Sequence, residues 1–291
     1  MRWSRHVVAA LPNVDSSRIA RYLRLTAKSM YHHVLVRHQG TKKILFIVGC
    51  QRSGTTLLNS IFERDPRASV YDEQGSAVSR DSGAKLRLRS LDEVADVIAR
   101  DPAPIVVLKP LVESQNILEL LDRFEDSVAV WIYRHYADVA ASYVRKWNDD
   151  RSVSDLRSII EDRDDWRNEK VTPTVRKTVI EHFDDRMAPH DASALYWFVR
   201  NSHFFELDLA RDDRILLCRY EDLVRRPRDE VARLYNLLQI PPPRQATTKD
   251  VHRRSVNKGA DVMQSAPIDA LCADLLAEMD VMRRRRRGTL A

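Results

Sequence analysis

The stretch Ile44–Leu58, ILFIVGCQRSGTTLL, combines residue types and spacing suited to holding an anion. An apolar run, Ile44–Val48, enters the loop GCQRSG, and Thr-Thr-Leu-Leu leaves it as the start of a helix. Gly49 and Gly54 stand five apart, the spacing of a phosphate-cradling loop whose backbone N–H groups and helix N-terminus face the ligand. Gly54 permits the tight turn, while Ser53, Thr55 and Thr56 contribute N–H and hydroxyl groups. The Lys that closes G-x-x-x-x-G-K-[ST] is missing. Thr55 stands in its place, and the only cation is Arg52, inside the loop. A nucleoside triphosphatase without that Lys loses the group that reaches the β- and γ-phosphates. The loop therefore reads as an anion site that disfavours ATP and GTP.

Further along, IVVLKPL places Lys109 at the exit of an apolar strand, and WIYRHYADVAASYVRKW places Arg134 at the end of another. RYEDLVRRP (Arg219–Pro227) and SVNKG (Ser255–Gly259) follow in order. With the loop, these blocks resemble the sulfotransferases that use 3′-phosphoadenosine-5′-phosphosulfate (PAPS), in a bacterial or tyrosylprotein-sulfotransferase-like branch. The likeness runs in blocks over about residues 42–260. It implies an α/β fold with a P-loop-type central parallel sheet flanked by helices, and sulfuryl transfer from PAPS to an acceptor hydroxyl on a carbohydrate, lipid-linked glycan or natural product.

The resemblance also assigns roles. Arg52 occupies the loop position where cytosolic sulfotransferases carry Lys and tyrosylprotein sulfotransferases carry Arg; its guanidinium bonds two oxygens at once and stays charged. Ser53, Gly54, Thr55 and Thr56 take the 5′-phosphate, Lys109 reaches the sulfate or bridging oxygen, and Arg134 with Ser142 takes the 3′-phosphate. Tyr220 lies beside the adenine, and Lys258 and Gly259 form the C-terminal phosphate loop. The cytosolic branch's His base is absent, because Leu111 stands at its place. In the tyrosylprotein branch the base is a Glu twenty-one residues beyond the loop Arg, which here is Glu73 in VYDEQ, with Asp72 as the alternative. Asn257 and Leu57 depart from the cytosolic pattern of Arg and an adenine-stacking Trp. No metal is expected: a sulfuryl group carries less charge than a phosphoryl group, and no CxxC or His/Cys cluster is present. The competing readings are a nucleotide or small-molecule kinase on a degenerate P-loop, and a non-catalytic nucleotide-binding domain.

Positioning these groups falls to alternating elements. The pattern predicts strands over 44–48, 68–71, 105–108, 127–133 and 214–219. Between and after them it predicts helices over 55–64, 91–99, 113–123, 135–147, 191–210 and 228–239, the alternation of a parallel sheet. Residues 1–40 read as an N-terminal helical extension, with a basic amphipathic helix over 15–38 that either packs on the domain or touches a membrane. Residues 41–262 read as the catalytic domain, with a charged insert over 149–190 placed above the acceptor side. Residues 263–291 read as a C-terminal helix with an Arg-rich tail. Trp147, Trp166 and Trp197 either fill the core or stack against a sugar acceptor.

The 291 residues carry 44% hydrophobic and 31% charged side chains, the balance of an ordinary globule with ample core. The net charge of +6 owes most of its excess to Arg283–Arg287, so the body is not a general nucleic-acid binder. That Arg run reads as solvated disorder or a contact to anionic lipid or polymer. An apolar stretch of five residues before Pro12 is too short for a signal peptide, and nothing approaches the ~18 residues of a membrane span. Cys50, Cys218 and Cys272 suggest reduced thiols in a cytoplasmic enzyme.

Overall fold

The computed structural model describes residues 41–289, apart from 75, 82–85, 148–149, 162–163, 244–246, 250 and 253–254. The helix expected over 15–38 lies outside the described residues. Five strands form one parallel sheet: β1 (Lys43–Gly49), β2 (Ala68–Tyr71), β5 (Ile105–Leu108), β6 (Ser127–Tyr133) and β7 (Ile215–Arg219), in the order β2-β5-β1-β6-β7. β1 therefore sits centrally, with the chain crossing to β2 on one side and later to β6 and β7 on the other. Ligands of open parallel sheets bind where the order reverses in this way, beyond the carboxyl ends of the strands.

The register brings those ends level. Gly49 pairs with Ile132, Tyr71 with Leu108, and Tyr133 with Arg219. As a result Arg52, Asp72, Glu73, Lys109, Arg134 and Tyr220, scattered over 169 positions of sequence, all leave one edge of the sheet within three residues of a strand end.

Strand residues alternate between two apolar layers. Ile44, Phe46 and Val48 face one, and Leu45 and Ile47 the other. The first layer is covered by α2 (Leu91–Arg100), α4 (Tyr136–Trp147), α7 (Pro189–Glu206) and α10 (Ala266–Thr289); the second is covered by α1 (Thr55–Glu63) and α9 (Pro227–Leu237). Between these come α3 (Ile117–Arg123), α5 (Asp150–Glu161), α6 (Pro173–His182) and α8 (Tyr220–Arg225). Local chemistry sets several starts. Ser90 and Glu93 form a reciprocal capping box on α2, Thr172 caps α6, and Pro227 opens α9. No described helix is long and apolar enough to cross a membrane.

Three features differ from the sequence reading: a 3-10 turn, a hairpin and the Arg-rich run. Helical structure expected over 113–123 begins as a 3-10 turn, Leu111–Asn116, because Ser114 Oγ donates to the carbonyl of Leu111 and accepts the N–H of Gly49 at 3.1 Å. An unforeseen hairpin, β3 (Ser79–Asp81) and β4 (Leu86–Leu88), hangs beside it through Arg87, which binds Glu113 at 2.7 Å and Glu169 at 2.6 Å. The charged stretch 149–190 folds mainly as α5 and α6 packed against α7, with buried Asp155 receiving Tyr143, Arg151 and Arg167. None of its described residues lines the cleft described below.

The Arg-rich run, read as solvated disorder or a contact to anionic lipid or polymer, is ordered as the last turns of α10. Arg283 is buried, binding Asp222 at 2.5 Å and Glu230 at 3.1 Å, and Arg286 donates to the carbonyl of Asp212. Long side chains that find acidic partners on α8 and α9 order a tail that composition alone marks as free.

Candidate active site

A cleft of about 400 Å³ opens at the carboxyl edge of the sheet. Its floor is the loop after β1. Gly49 adopts φ +125° and Gly54 φ +101°, and a Cβ at either would collide, with the Ile132 carbonyl and the Tyr220 ring respectively. These two positions need glycine for both reasons. Arg52 is itself left-handed, at φ +67°, a conformation that costs an L-residue roughly 1–2 kcal/mol. Gly54 is the N-cap of α1 and supplies no side-chain acceptor, and the first turn carries no acidic residue. The positive end of α1 thus remains available at Thr55, Thr56 and Leu57, which line the cleft. Ser53 is buried in the loop, and its N–H closes onto the Cys50 carbonyl at 3.3 Å. Burial pushes the Cys50 thiol up to about 12, so it is inert as a nucleophile.

Arg52 donates from Nε to Ser142 Oγ at 3.1 Å and lies 5.6 Å from the Trp147 ring centre. Burial, then the charges of Arg134 and Arg145, lower its proton affinity. Cations held together in this way favour an anion between them.

Across the cleft, Lys109 is 5% exposed and its Nζ meets Asp72 at 2.6 Å and Glu73 at 4.0 Å. Asp72 Oδ1 also accepts the Glu73 N–H at 2.9 Å, which pins the turn. Burial raises the Glu73 carboxyl from the ordinary 4.5 to about 7; Lys109 opposes the rise and Asp72 adds to it.

The third group gathers at the end of β6. Arg134 is 5% exposed, packs 4.5 Å from the Tyr220 ring centre, and binds Asp138 at 2.9 Å. Its carbonyl accepts Trp197 Nε1 at 3.0 Å. Arg134 Nη2 also donates to the carbonyl of Ser255. Asp138 in turn accepts the N–H groups of Asn257 at 3.0 Å and Gly259 at 2.7 Å. A Cβ at Gly259 would collide with the Ala137 carbonyl, so the loop lies flat on α4.

The cleft therefore brings together Arg52, Gly54, Thr55, Thr56, Asp72, Glu73, Lys109, Arg134, Ser142 and Tyr220. Ser53 supports the loop from beneath. Lys258 is exposed and Gly259 buried behind Arg134, and neither lines the cleft. Trp197 is wholly buried and Trp166 nearly so, packed by Arg167 and Arg200, whereas half-buried Trp147 does line it. Sequence reasoning missed Gln51, Gln74, Lys146 and Ser255 on the walls, and Asp138 behind them. Asp138 carried one legible signal, its place one helical turn after Arg134 and one before Ser142.

Among the described residues no group of three or more His, Cys, Asp or Glu is arranged to hold a metal ion. The cleft thus holds one arginine at the loop and another at the end of β6, with the Glu73 carboxyl beside Lys109.

Comparison with known proteins places the chain in a family. No curated protein sequence matches the chain. Among solved structures, the sulfotransferase domain from the curacin biosynthetic pathway superposes with a TM-score of 0.53 at 18% identity, covering 82% of this chain and 98% of its own. The sulfotransferase domain from the Synechococcus PCC 7002 olefin synthase gives 0.50 at 16%, covering 84% and 97%. These identities bear on fold alone. Residues 42–268, more than three-quarters of the chain, match the sulfotransferase domain family. With its loop, its parallel sheet and its matched span in agreement, the chain belongs to the sulfotransferase family and is a sulfotransferase enzyme.

Proposed function

We propose that the enzyme transfers a sulfuryl group from PAPS to an acceptor hydroxyl on a carbohydrate, lipid-linked glycan or natural product, releasing 3′,5′-ADP. The observation that carries this reading is that one cleft holds two arginines from different strand ends, Arg52 in the loop before the α1 N-terminus and Arg134 against Tyr220, with Ser142 on the same wall bonded to Arg52. A donor bearing a 5′-phosphosulfate and a separate 3′-phosphate needs both. The residues suit such a ligand on a further count: Arg134 Nε is buried and has no partner among the described residues. A buried donor of this kind is costly unless a ligand or water meets it.

In this reading the α1 amides, Thr55 and Thr56 hold the 5′-phosphate, Arg134 and Ser142 the 3′-phosphate, and Tyr220 the adenine side. Glu73 takes the proton from the acceptor hydroxyl as its oxygen bonds to sulfur and the bond from sulfur to the bridging oxygen breaks. The nucleotide's phosphate leaves with the electron pair of that bond. Lys109 and Arg52 neutralise the charge that develops on the bridging oxygen, positioning and electrostatics supplying most of the acceleration. With its carboxyl raised to about 7, Glu73 is a stronger base than an ordinary carboxylate while still partly ionised at neutral pH.

Calorimetry tests the proposal. Tight binding of 3′,5′-ADP without Mg²⁺, and weak binding of ATP with it, is the expected result. Arg134→Ala should weaken 3′,5′-ADP about ten- to a hundredfold and leave adenosine 5′-phosphosulfate, which lacks the 3′-phosphate, within about threefold. Equal losses for both ligands overturn the assignment of the subsite.

A further inference from the structure

Among the described residues Asp138 accepts three hydrogen bonds, from Arg134 and from the loop 255–259 behind it. It is 4% exposed, in the first turn of α4. Oδ2 accepts from Arg134 Nη2 at 2.9 Å and from the Asn257 N–H at 3.0 Å; Oδ1 accepts from the Gly259 N–H at 2.7 Å. One carboxylate thus joins the end of β6, the start of α4 and the loop 255–259, segments about 120 residues apart in sequence. The loop is joined a second time through the bond from Arg134 Nη2 to the Ser255 carbonyl.

We propose that Asp138 is a positioning and specificity-determining residue. It builds the Arg134 subsite before any ligand arrives, and through it the enzyme distinguishes a nucleotide with a 3′-phosphate from one without. The inference rests on the reading of that subsite given above.

The chemistry behind it is local. Unpaired, Arg134 has five N–H donors and several rotamers. Asp138 and Ser255 together occupy Nη2 and so fix the plane of the guanidinium against the Tyr220 ring. That leaves Nε as the buried donor without a partner among the described residues. The same carboxylate turns two backbone N–H groups of a turn inward, with Asn257 held at φ +60°. Removing the carboxylate releases the loop and the guanidinium together, so a ligand must order both when it binds, and its affinity falls accordingly. Carboxylate bonds to charged and backbone donors are among the stronger hydrogen bonds, which sets the size expected.

The test compares 3′,5′-ADP with 5′-AMP by calorimetry on the full chain. Wild type should prefer 3′,5′-ADP. Asp138→Asn should weaken 3′,5′-ADP by about tenfold or more, leave 5′-AMP within about twofold, and raise the KM for donor more than it lowers kcat. Gly259→Ala, which forces the loop off α4 but keeps the Asp138–Arg134 pair, should give the same selective loss. A purely structural role predicts equal losses for both nucleotides, and that result overturns the proposal. If wild type shows no preference, the reading of the subsite fails and the proposal fails with it. If wild type prefers 3′,5′-ADP and Asp138→Asn keeps the full preference, Asp138 alone is misassigned. Should the variants not fold, hydrogen exchange on the ligand-free wild type decides: the Asn257 and Gly259 amides are expected to be protected, and free exchange at both rules out the clamp.

Discussion

At Glu73, burial and the charge of Lys109 pull in opposite directions, and burial, helped by Asp72, wins. Its carboxyl rises to about 7 although Lys109 is near, because Lys109 is held closer to Asp72, at 2.6 Å against 4.0 Å. Glu73→Gln keeps the shape and removes proton acceptance. It should leave nucleotide binding intact and lower kcat by about 10²–10⁴. Wild-type kcat should rise as pH passes about 7, and the variant should lack that acidic limb. Stability moves the other way. The folded carboxyl stays protonated up to about 7 while the unfolded one ionises near 4.5, so wild type loses stability between those values and no further above them. Calorimetric melting should therefore show Glu73→Gln gaining on wild type across that window, by at most about 3 kcal/mol. Asp72→Asn should leave most of kcat in place; the reverse pattern would make Asp72 the base. Ser142 behaves differently from Arg134, because its hydroxyl also holds Arg52 Nε. Ser142→Ala should accordingly weaken adenosine 5′-phosphosulfate as well as 3′,5′-ADP, with the larger loss for 3′,5′-ADP.

Among the elements, the loop from β1 to α1 depends most on one residue. Gly54 caps α1 at φ +101° with its open side against Tyr220. Gly54→Ala must either displace the Tyr220 ring or unwind the first turn of α1. The left-handed backbone alone costs about 1–2 kcal/mol, and the collision adds to it. Urea unfolding should show at least that loss, and 3′,5′-ADP affinity should fall with it, since the α1 amides and Tyr220 move together. Stability lost with affinity unchanged would show that α1 does not face the ligand. The 3-10 turn after Lys109 makes the same point, because Ser114 ties it to Gly49 and so links the ends of β1 and β5.

Across the whole molecule, α10 closes the first apolar layer with Ile268, Cys272, Leu275, Leu276 and Met279 and then meets α8 and α9 through Arg283. Arg283→Met leaves Glu230 buried with weaker compensation, and breaking a buried pair from one side costs about 3–5 kcal/mol. Arg284→Met, one residue on and exposed, should change stability by less than about 0.5 kcal/mol. Thermal unfolding of the two variants separates a docked helix from a free tail; equal, small effects would mean that the run is solvated after all.

The sequence by itself determined the five parallel strands, the phosphate-loop geometry around Gly49 and Gly54, and the identity of most cleft residues. Each of these depends on neighbours along the chain. Apolar runs of four to seven residues, a five-residue glycine spacing and a cation at a strand end keep their meaning without knowledge of the rest of the fold. What crosses the chain was decided only by tertiary structure. Asp138 reads as one more helix carboxylate until the loop 255–259 comes to lie on it. Arg283 reads as part of a charged tail until Glu230 and Asp222 meet it, and Trp147 as either core or a sugar-stacking surface until Arg52 reaches its ring. The physical reason is shared: a polar side chain's role follows from the partner that satisfies it once water is excluded, and here that partner stands 53 to 121 positions away.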